Sequence, residues 1–172
     1  MMPKIIGGIL VIIASSLIGF KLASRFSKRV QTLEGFISAM KILDTEISYS
    51  QSPVREAFIS ISKAVETPVG TVFLESAEML SSEEYSMNKC FRCSIEKYKG
   101  DLCLDNVDID ILFKFSLSLG KSDRLNQQKN IAFTLQMLGE RLEDSKVKCS
   151  KNKKMYQSFG VLGGVLVTIL FL

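Results

Sequence analysis

The chain has 172 residues, of which 47% are hydrophobic and 23% are charged, and it contains neither His nor Trp. This length is typical of one domain with a hydrophobic core. The absence of His excludes Ser-His-Asp, Cys-His and His-metal catalysis within this chain, because each of them uses an imidazole. Four Cys are too few for a disulfide-rich scaffold.

The charges are distributed unevenly along the chain. All 18 acidic residues lie between Glu34 and Asp144, where they outnumber 12 basic residues, and the two flanks carry 10 basic residues and no acidic one. A nucleic-acid-binding protein needs a basic surface on its folded part. The acidic middle therefore argues against nucleic acid as a partner.

Each end of the chain contains an uncharged apolar run, Ile5–Phe20 and Met155–Leu172. A helix over 3–23 reaches about 30 Å and a helix over 155–172 about 27 Å, which are the lengths that cross a hydrocarbon core. We therefore predict an N-terminal transmembrane helix over residues 1–23, a helical domain over residues 24–154 and a C-terminal transmembrane helix over residues 155–172.

Two alternatives to these spans stay open. The first run could be a cleaved signal peptide, since Ala14, Ser15 and Ser16 are small enough for a cleavage site. Apolar residues resume at 17–20, beyond that site, which favours retention. Both runs could also be buried helices of a soluble protein, but they are apolar on every face, which favours lipid.

Basic residues next to the two runs predict the orientation. They follow the first run and precede the second, whereas the outer ends carry only Lys4. The positive-inside rule places the middle domain in the cytoplasm and both termini outside, with the basic residues on anionic headgroups. These residues are Lys21, Arg25, Lys28, Arg29, Lys146, Lys148, Lys151, Lys153 and Lys154.

Small residues within the runs predict a helix–helix contact. Gly160 and Gly164 form a GxxxG pattern with Gly163 beside it, and Ser15 and Gly19 have the same spacing in the first run. Small residues let helix backbones approach closely in lipid. The contact could be with the other span or with another protein.

The middle of the chain is typical of helices. Apolar residues spaced by three and four predict an amphipathic helix over residues 25–48, and Ser52-Pro53 and Thr67-Pro68 are signals for two further helix starts. Ser81 with Glu84 is a capping box, which predicts another start, and Lys99-Gly100-Asp101 predicts the end of that helix.

The last third of the sequence predicts two more helices. After a loop around Cys103 to Asp108, one helix ends at Gly120, and Ser122 or Asp123 caps a final helix that runs into the second apolar run. We predict an all-α fold, an antiparallel bundle of about six helices flanked by an N-terminal and a C-terminal transmembrane helix.

Two motifs suggest chemistry and are better explained otherwise. Gly120-Lys121-Ser122 resembles the end of a phosphate-binding loop, but Phe115 stands where that loop needs Gly. Cys90 and Cys93 form a single CxxC with Cys103 nearby, whereas zinc ribbons use two such pairs. A thiol or zinc-binding protein that uses these three Cys is the alternative function; otherwise no metal, cofactor or catalytic residue is predicted.

Exposed acids of the middle helices are candidates for contact with partners. Glu75, Glu78, Glu83 and Glu84 could form such a surface or could simply keep the domain soluble.

Four segments carry a resemblance to a known family. They are 19–29 (GFKLASRFSKR), 46–57 (EISYSQSPVREA), 119–123 (LGKSD) and 160–164 (GVLGG). In this order they resemble the stage III sporulation protein AB family, which is similar to the F-type platform proteins of type II secretion. The residues in these segments that are candidates for interaction or for holding helix corners are Glu46, Tyr49, Pro53, Glu56, Gly120, Asp123, Gly160 and Gly164.

The resemblance implies a protein of endospore-forming bacteria in the mother cell membrane facing the forespore. It implies a non-enzymatic platform, without a cofactor, in a secretion-like channel complex, whose helical domain docks a secretion-type ATPase. Membrane lipids, other membrane subunits and a homo-oligomer are the further partners implied. A sensor of the lipid surface that works through the basic residues is a third hypothesis.

Overall fold

A computed structural model describes residues 2–50, 53–82, 86–119 and 124–171, and these residues are helical with short connections. Side chains are described for all of them except residues 2–6, 8, 9, 12, 49, 50, 82, 154, 157, 160, 161, 164, 165, 170 and 171. The predicted all-α class is confirmed, and these ranges contain no strand. The helices are α1 (Met2–Thr45), α2 (Val54–Ala64), α3 (Val69–Met79), α4 (Met87–Lys97), α5 (Lys99–Leu102), α6 (Asn106–Ser118) and α7 (Arg124–Phe171).

The chain divides into two compact units. One unit, which we call the arms, combines Met1–Val30 with Asp144–Leu172, and the other, which we call the bundle, is Gln31–Glu143. Helices α1 and α7 each contribute residues to both units. Both boundaries fall inside the range 24–154 that the sequence assigns to one helical domain.

The core of the bundle is built on five phenylalanines, one from each of five helices. Neighbouring rings in this cluster have centroids 4.8 to 6.2 Å apart, and each ring is at most 3% exposed. Edge-on and tilted aromatic pairs at such distances stabilise a core beyond the burial of their area. The cluster consists of Phe36 (α1), Phe58 (α2), Phe73 (α3), Phe91 (α4) and Phe115 (α6).

Two prolines precede the helices that the sequence predicted after them. Pro53 is directly before α2 and Pro68 directly before α3. The start of α3 lies very close to the end of α2. A Cβ placed on Gly70 of α3 would lie 2.3 Å from the carbonyl oxygen of Val65, the C-cap of α2. Glycine is therefore required at residue 70 for the two backbones to approach.

Three local predictions are wrong. Ser81 does not begin a helix: it lies in a 3₁₀ turn (Leu80–Ser82) after α3, and Ser86 is the residue before α4. The helix predicted to end at 99–101 is followed at once by α5, which covers that segment. The predicted loop to Asp108 ends earlier, since α6 begins at Asn106 with Asp105 as its N-cap.

The two arms pair as antiparallel helices. Ser27 Oγ lies 3.6 Å from Cys149 Sγ, and the rings of Phe26 and Tyr156 stack with centroids 5.6 Å apart. A Cβ placed on Gly163 would lie 3.7 Å from Ser15 Oγ. Since one residue number rises as the other falls, the contacts define an antiparallel register in which residues 15 and 163 lie at one level.

The predicted transmembrane helices are not supported by the described residues. Within those residues, none of the helices has an apolar stretch that is long enough to cross a bilayer. Several side chains of both predicted spans, 1–23 and 155–172, lie outside the described set.

Candidate interaction sites

The first candidate site is the corner at the end of α1, which lies in the segment 46–57. The helix ends in a π-helical turn, Glu46–Ser50, a geometry that is frequent at functional sites. The half-buried Glu46 accepts a hydrogen bond from Ser60 of α2 at 3.2 Å. Ser48 accepts one from Gln128 of α7. One short turn therefore connects three helices of the bundle.

The structure describes some of the other predicted residues of this corner in full, one by its backbone only, and two not at all. Pro53 and Glu56 are exposed, and Glu56 lies in the first turn of α2, where a carboxylate interacts favourably with the helix dipole. The backbone of Tyr49 belongs to the π-helical turn, but its side chain is outside the described set. Gly120 and Asp123 lie outside the described residues.

The glycines of the second predicted span lie in α7. Gly160 and Gly164 belong to the residues of that helix whose side-chain environment is outside the described set. Their neighbour Gly163 is described, and it approaches Ser15 of the other arm. Ser15, a small residue of the motif predicted in the first run, therefore lies close to a glycine of α7 in the same chain.

A carboxylate pair that the sequence analysis missed holds the start of α6. Asp105 and Asp108 form a reciprocal capping box, with N–O distances of 3.0 and 3.2 Å. Arg141 of α7 donates to both: its Nε lies 2.8 Å from Asp108 and its Nη2 2.5 Å from Asp105. The D-x-x-D spacing is a signal that could have identified the cap. Arg141 is too distant in sequence to be found that way.

The burial and hydrogen bonds of the Asp105–Asp108 pair indicate a structural role. Asp108 is 0% exposed, and all four carboxylate oxygens of the pair accept a hydrogen bond. A buried carboxylate with its donors and its cation in place is stabilised as a charge. We therefore assign it to fixing α6 against α7.

One of the predicted contact acids has its own partners. Glu75 of α3 accepts from Lys97 at 2.5 Å and from the Tyr98 hydroxyl at 3.1 Å. The hydrogen bond from Lys97 lowers the pKa of Glu75, and the same bond raises the pKa of Lys97. Glu78 is exposed, while Glu83 and Glu84 lie outside the described residues. Glu75 thus connects α3 to α4.

The cysteines of the alternative function differ in environment. Cys90 is buried and Cys93 is exposed, and burial raises the pKa of the Cys90 thiol. A neutral thiol is a weak metal ligand and nucleophile. Cys103 has a backbone φ of 53° after α5. Among the described residues, no group of three Cys, Asp or Glu side chains is arranged to hold a metal ion.

Comparison with known proteins establishes the family. The family model described as stage III sporulation protein AB matches residues 4–172. The chain belongs to the stage III sporulation protein AB family. Because the match extends over nearly the whole chain, it includes the corner, the bundle and both arms.

Two relatives agree with this assignment. The stage III sporulation protein AB of Bacillus subtilis (strain 168) is 29% identical over 171 residues, which are 99% of this chain and the whole of that protein. A solved structure of stage III sporulation protein AB matches with a TM-score of 0.66 and 27% identity, over 70% of this chain and 95% of the solved one. The predicted family is confirmed, and the chain is a sporulation protein.

Proposed function

We propose that this chain is a non-enzymatic assembly platform of a secretion-like channel complex of sporulation. Its arms anchor it in the mother cell membrane facing the forespore, with membrane lipids and other membrane subunits as neighbours. Its bundle, in the cytoplasm, docks the secretion-type ATPase of the same complex. Membership of the sporulation family supports the setting, and the resemblance to F-type platform proteins supports the role.

The outer surface of the arms is the observation that carries the proposal. Large apolar side chains on both arms are at least half exposed, and the antiparallel pairing brings them to the same level. Exposed apolar surface of this extent is typical of a membrane or protein contact. These side chains are Leu10, Ile13, Leu17, Ile18 and Phe20 of α1 and Phe159, Leu162, Leu166 and Ile169 of α7.

The bundle offers a separate surface for a protein partner. Phe133 of α7 is 64% exposed, on the side of the helix opposite the buried Ile131, and Lys129 and Gln136 on that side are exposed as well. An exposed aromatic on a polar helix face contributes little to folding and is a typical anchor for a partner. We place the contact with the ATPase at this face of α7.

The membrane part of the proposal is tested by topology reporters in sporulating cells. A fluorescent protein inserted at residue 100 should fluoresce, and alkaline phosphatase fused to either terminus should be active outside the cytoplasm. Alkaline carbonate should leave the full chain in the membrane pellet. Phosphatase activity at residue 100, or release by carbonate, would contradict the two-span anchor.

The docking part is tested with the purified full chain in detergent and the secretion-type ATPase of the same organism. Wild type should bind the ATPase or change its rate of ATP hydrolysis. Phe133→Ser should weaken binding at least tenfold, which corresponds to about 1.4 kcal/mol, whereas Lys63→Ser, an exposed position on α2, serves as the control. A wild-type chain that neither binds nor changes hydrolysis would refute the docking.

A further inference from the structure

The N-terminal part of α7 differs in charge from the rest of the bundle. Every carboxylate side chain except that of Asp144 lies in the bundle, yet residues 124–139 contain none and carry two cations, Arg124 and Lys129. The next acidic residue, Glu140, lies about 16 Å beyond Lys129 along the helix. A cation near a helix N-terminus is unfavourable for the helix itself, so the stability of α7 does not explain this charge.

Exposed apolar side chains lie in the same part of α7. Leu125 is 60% exposed and Phe133 is 64% exposed, which makes them the two most exposed large apolar side chains among the described residues of the bundle. Burial of either side chain would be favourable, and folding of this chain leaves both in water. Two apolar anchors for a partner are therefore present about 12 Å apart along one helix.

Lys129 lies between these two apolar side chains. Leu125, Lys129 and Phe133 are each four residues apart, which places them in one row along the helix, and the buried Ile131 and Leu138 mark the opposite side of α7. The side chain of Lys129 is exposed, and it forms no ion pair with the described residues. We call Leu125, Lys129 and Phe133 the docking row.

We propose that the docking row binds an acidic amphipathic segment of the secretion-type ATPase. A carboxylate of that segment meets Lys129, and its apolar side chains cover Leu125 and Phe133. This inference rests on the proposed docking to the ATPase and specifies the chemistry of the surface that docks. An ammonium between two apolar contacts loses water when the partner binds, and an opposite charge compensates this loss. A basic surface on the partner would instead repel Lys129.

The test measures binding of the purified ATPase to the full chain in detergent by surface plasmon resonance. Lys129→Glu reverses the charge of the docking row, and Lys129→Arg keeps it. Lys63→Glu makes the same reversal at an exposed position of α2 and is the matched control. Circular dichroism checks that each variant has the helix content of wild type.

Lys129→Glu should weaken binding about tenfold or more, largely through slower association. Lys129→Arg and Lys63→Glu should bind within about twofold of wild type. The affinity of wild type should also fall in 1 M salt, where the Debye length is about 3 Å. An unchanged affinity of Lys129→Glu, an equal loss in Lys63→Glu, or an affinity of wild type that does not respond to salt would overturn the proposal.

A carbodiimide, which couples a lysine amine directly to a carboxylate, identifies the group that meets Lys129. Mass spectrometry of the wild-type complex should find Lys129 joined to an Asp or Glu of the ATPase. Lys129→Arg should bind the ATPase without forming this product. A wild-type complex in which Lys129 is not joined to the ATPase would overturn the proposal.

Failure of this inference differs from failure of the docking. A wild-type chain that binds the ATPase and loses binding in Phe133→Ser, but not in Lys129→Glu, refutes the acidic partner surface alone. A wild-type chain that neither binds the ATPase nor changes its rate of ATP hydrolysis refutes the docking, and this inference with it.

Discussion

At the scale of single residues, Asp108 is a carboxylate that is fully buried in the bundle. Its charge is balanced by Arg141, and its second oxygen accepts from the backbone of Asp105. A buried ion pair stabilises little as a whole, but the loss of one partner leaves the other charge without compensation. The cost of a substitution at this site therefore depends on which partner is removed.

Replacing Arg141 should destabilise the bundle strongly. Arg141→Met leaves the Asp108 carboxylate buried without its cation, and we expect a loss of about 3 kcal/mol. Arg124→Met, an exposed position on the same helix, should change stability by less than about 0.5 kcal/mol. Urea unfolding of the full chain in mild detergent, followed by circular dichroism, measures both. Equal midpoints for the two variants would refute the assignment of this pair.

Substitution by alanine should have opposite effects on the stability of the chain at two helical glycines. Gly70→Ala brings a Cβ to 2.3 Å from the Val65 carbonyl oxygen, so helices α2 and α3 must separate, and we expect a loss of about 2 kcal/mol. A Cβ on Gly139 of α7 meets nothing within 4 Å. Gly139→Ala should therefore stabilise the chain by about 0.5 kcal/mol through helix propensity. Thermal unfolding compares them, and a tolerated Gly70→Ala would contradict the close packing.

At the scale of elements, five helices of the bundle, α1, α2, α3, α4 and α6, each contribute one ring to the same aromatic cluster. The stripe of each helix places its phenylalanine inward, and Phe73 contacts the rings of three other helices, Phe36, Phe58 and Phe91. Polar contacts at the helix ends, such as Glu46 with Ser60, then fix the corners. The core determines which elements associate, and these contacts determine their angle and register.

The contact between α3 and α4 should make stability depend on pH. Glu75 has a pKa below its ordinary value of 4.5, so its contribution is complete above pH 4.5 and is lost as the pH falls through the lowered pKa. Glu75→Gln should lower the urea midpoint at pH 7, and the difference from wild type should narrow below pH 4.5. The effect is small, because Lys97 is 57% exposed and water screens the pair.

The opposite sign holds for Lys97. Its pKa is raised above 10.5, so its contribution is complete below pH 10.5 and is lost as the pH rises through the raised pKa. Glu78→Gln removes an exposed acid of the same helix and is the control of equal charge. If Glu75→Gln and Glu78→Gln have the same pH dependence, the connection between α3 and α4 is absent.

At the scale of the whole molecule, the two longest helices form the arms with residues from opposite ends of the chain. Their pairing depends on small residues at 15 and 163, on the stacked rings of Phe26 and Tyr156, and on the contact of Ser27 with Cys149. This antiparallel pairing determines which charged and which apolar side chains of α1 and α7 lie at the same height along the two arms.

The pairing of the arms should be detectable by a disulfide. Ser27→Cys, with Cys93 and Cys103 replaced by Ser, should form an intramolecular bond with Cys149 under mild oxidation, since the present side-chain atoms are 3.6 Å apart. The product should migrate faster on a non-reducing gel and lose this shift on reduction. Ser38→Cys in the same background is the control. Absence of the bond in Ser27→Cys would contradict the antiparallel register.

The sequence by itself determined the helical class, the family, the starts of α2 and α3 after Pro53 and Pro68, and the two apolar runs with their basic borders. These features are local, because helix periodicity, proline geometry and hydropathy act over a few residues. Its errors were also local: Ser81 and Glu84 have the spacing of a capping box, but Ser86 precedes α4.

Only the tertiary structure decided which residues meet. Arg141 reaches Asp108 from 33 positions away, Gln128 of α7 reaches Ser48 at the end of α1, and Ser15 lies near Gly163 of the other arm. No periodicity in one segment specifies a contact with another segment. These pairings depend on how whole helices pack, and this is why the ion pair at the start of α6 emerged only from the fold.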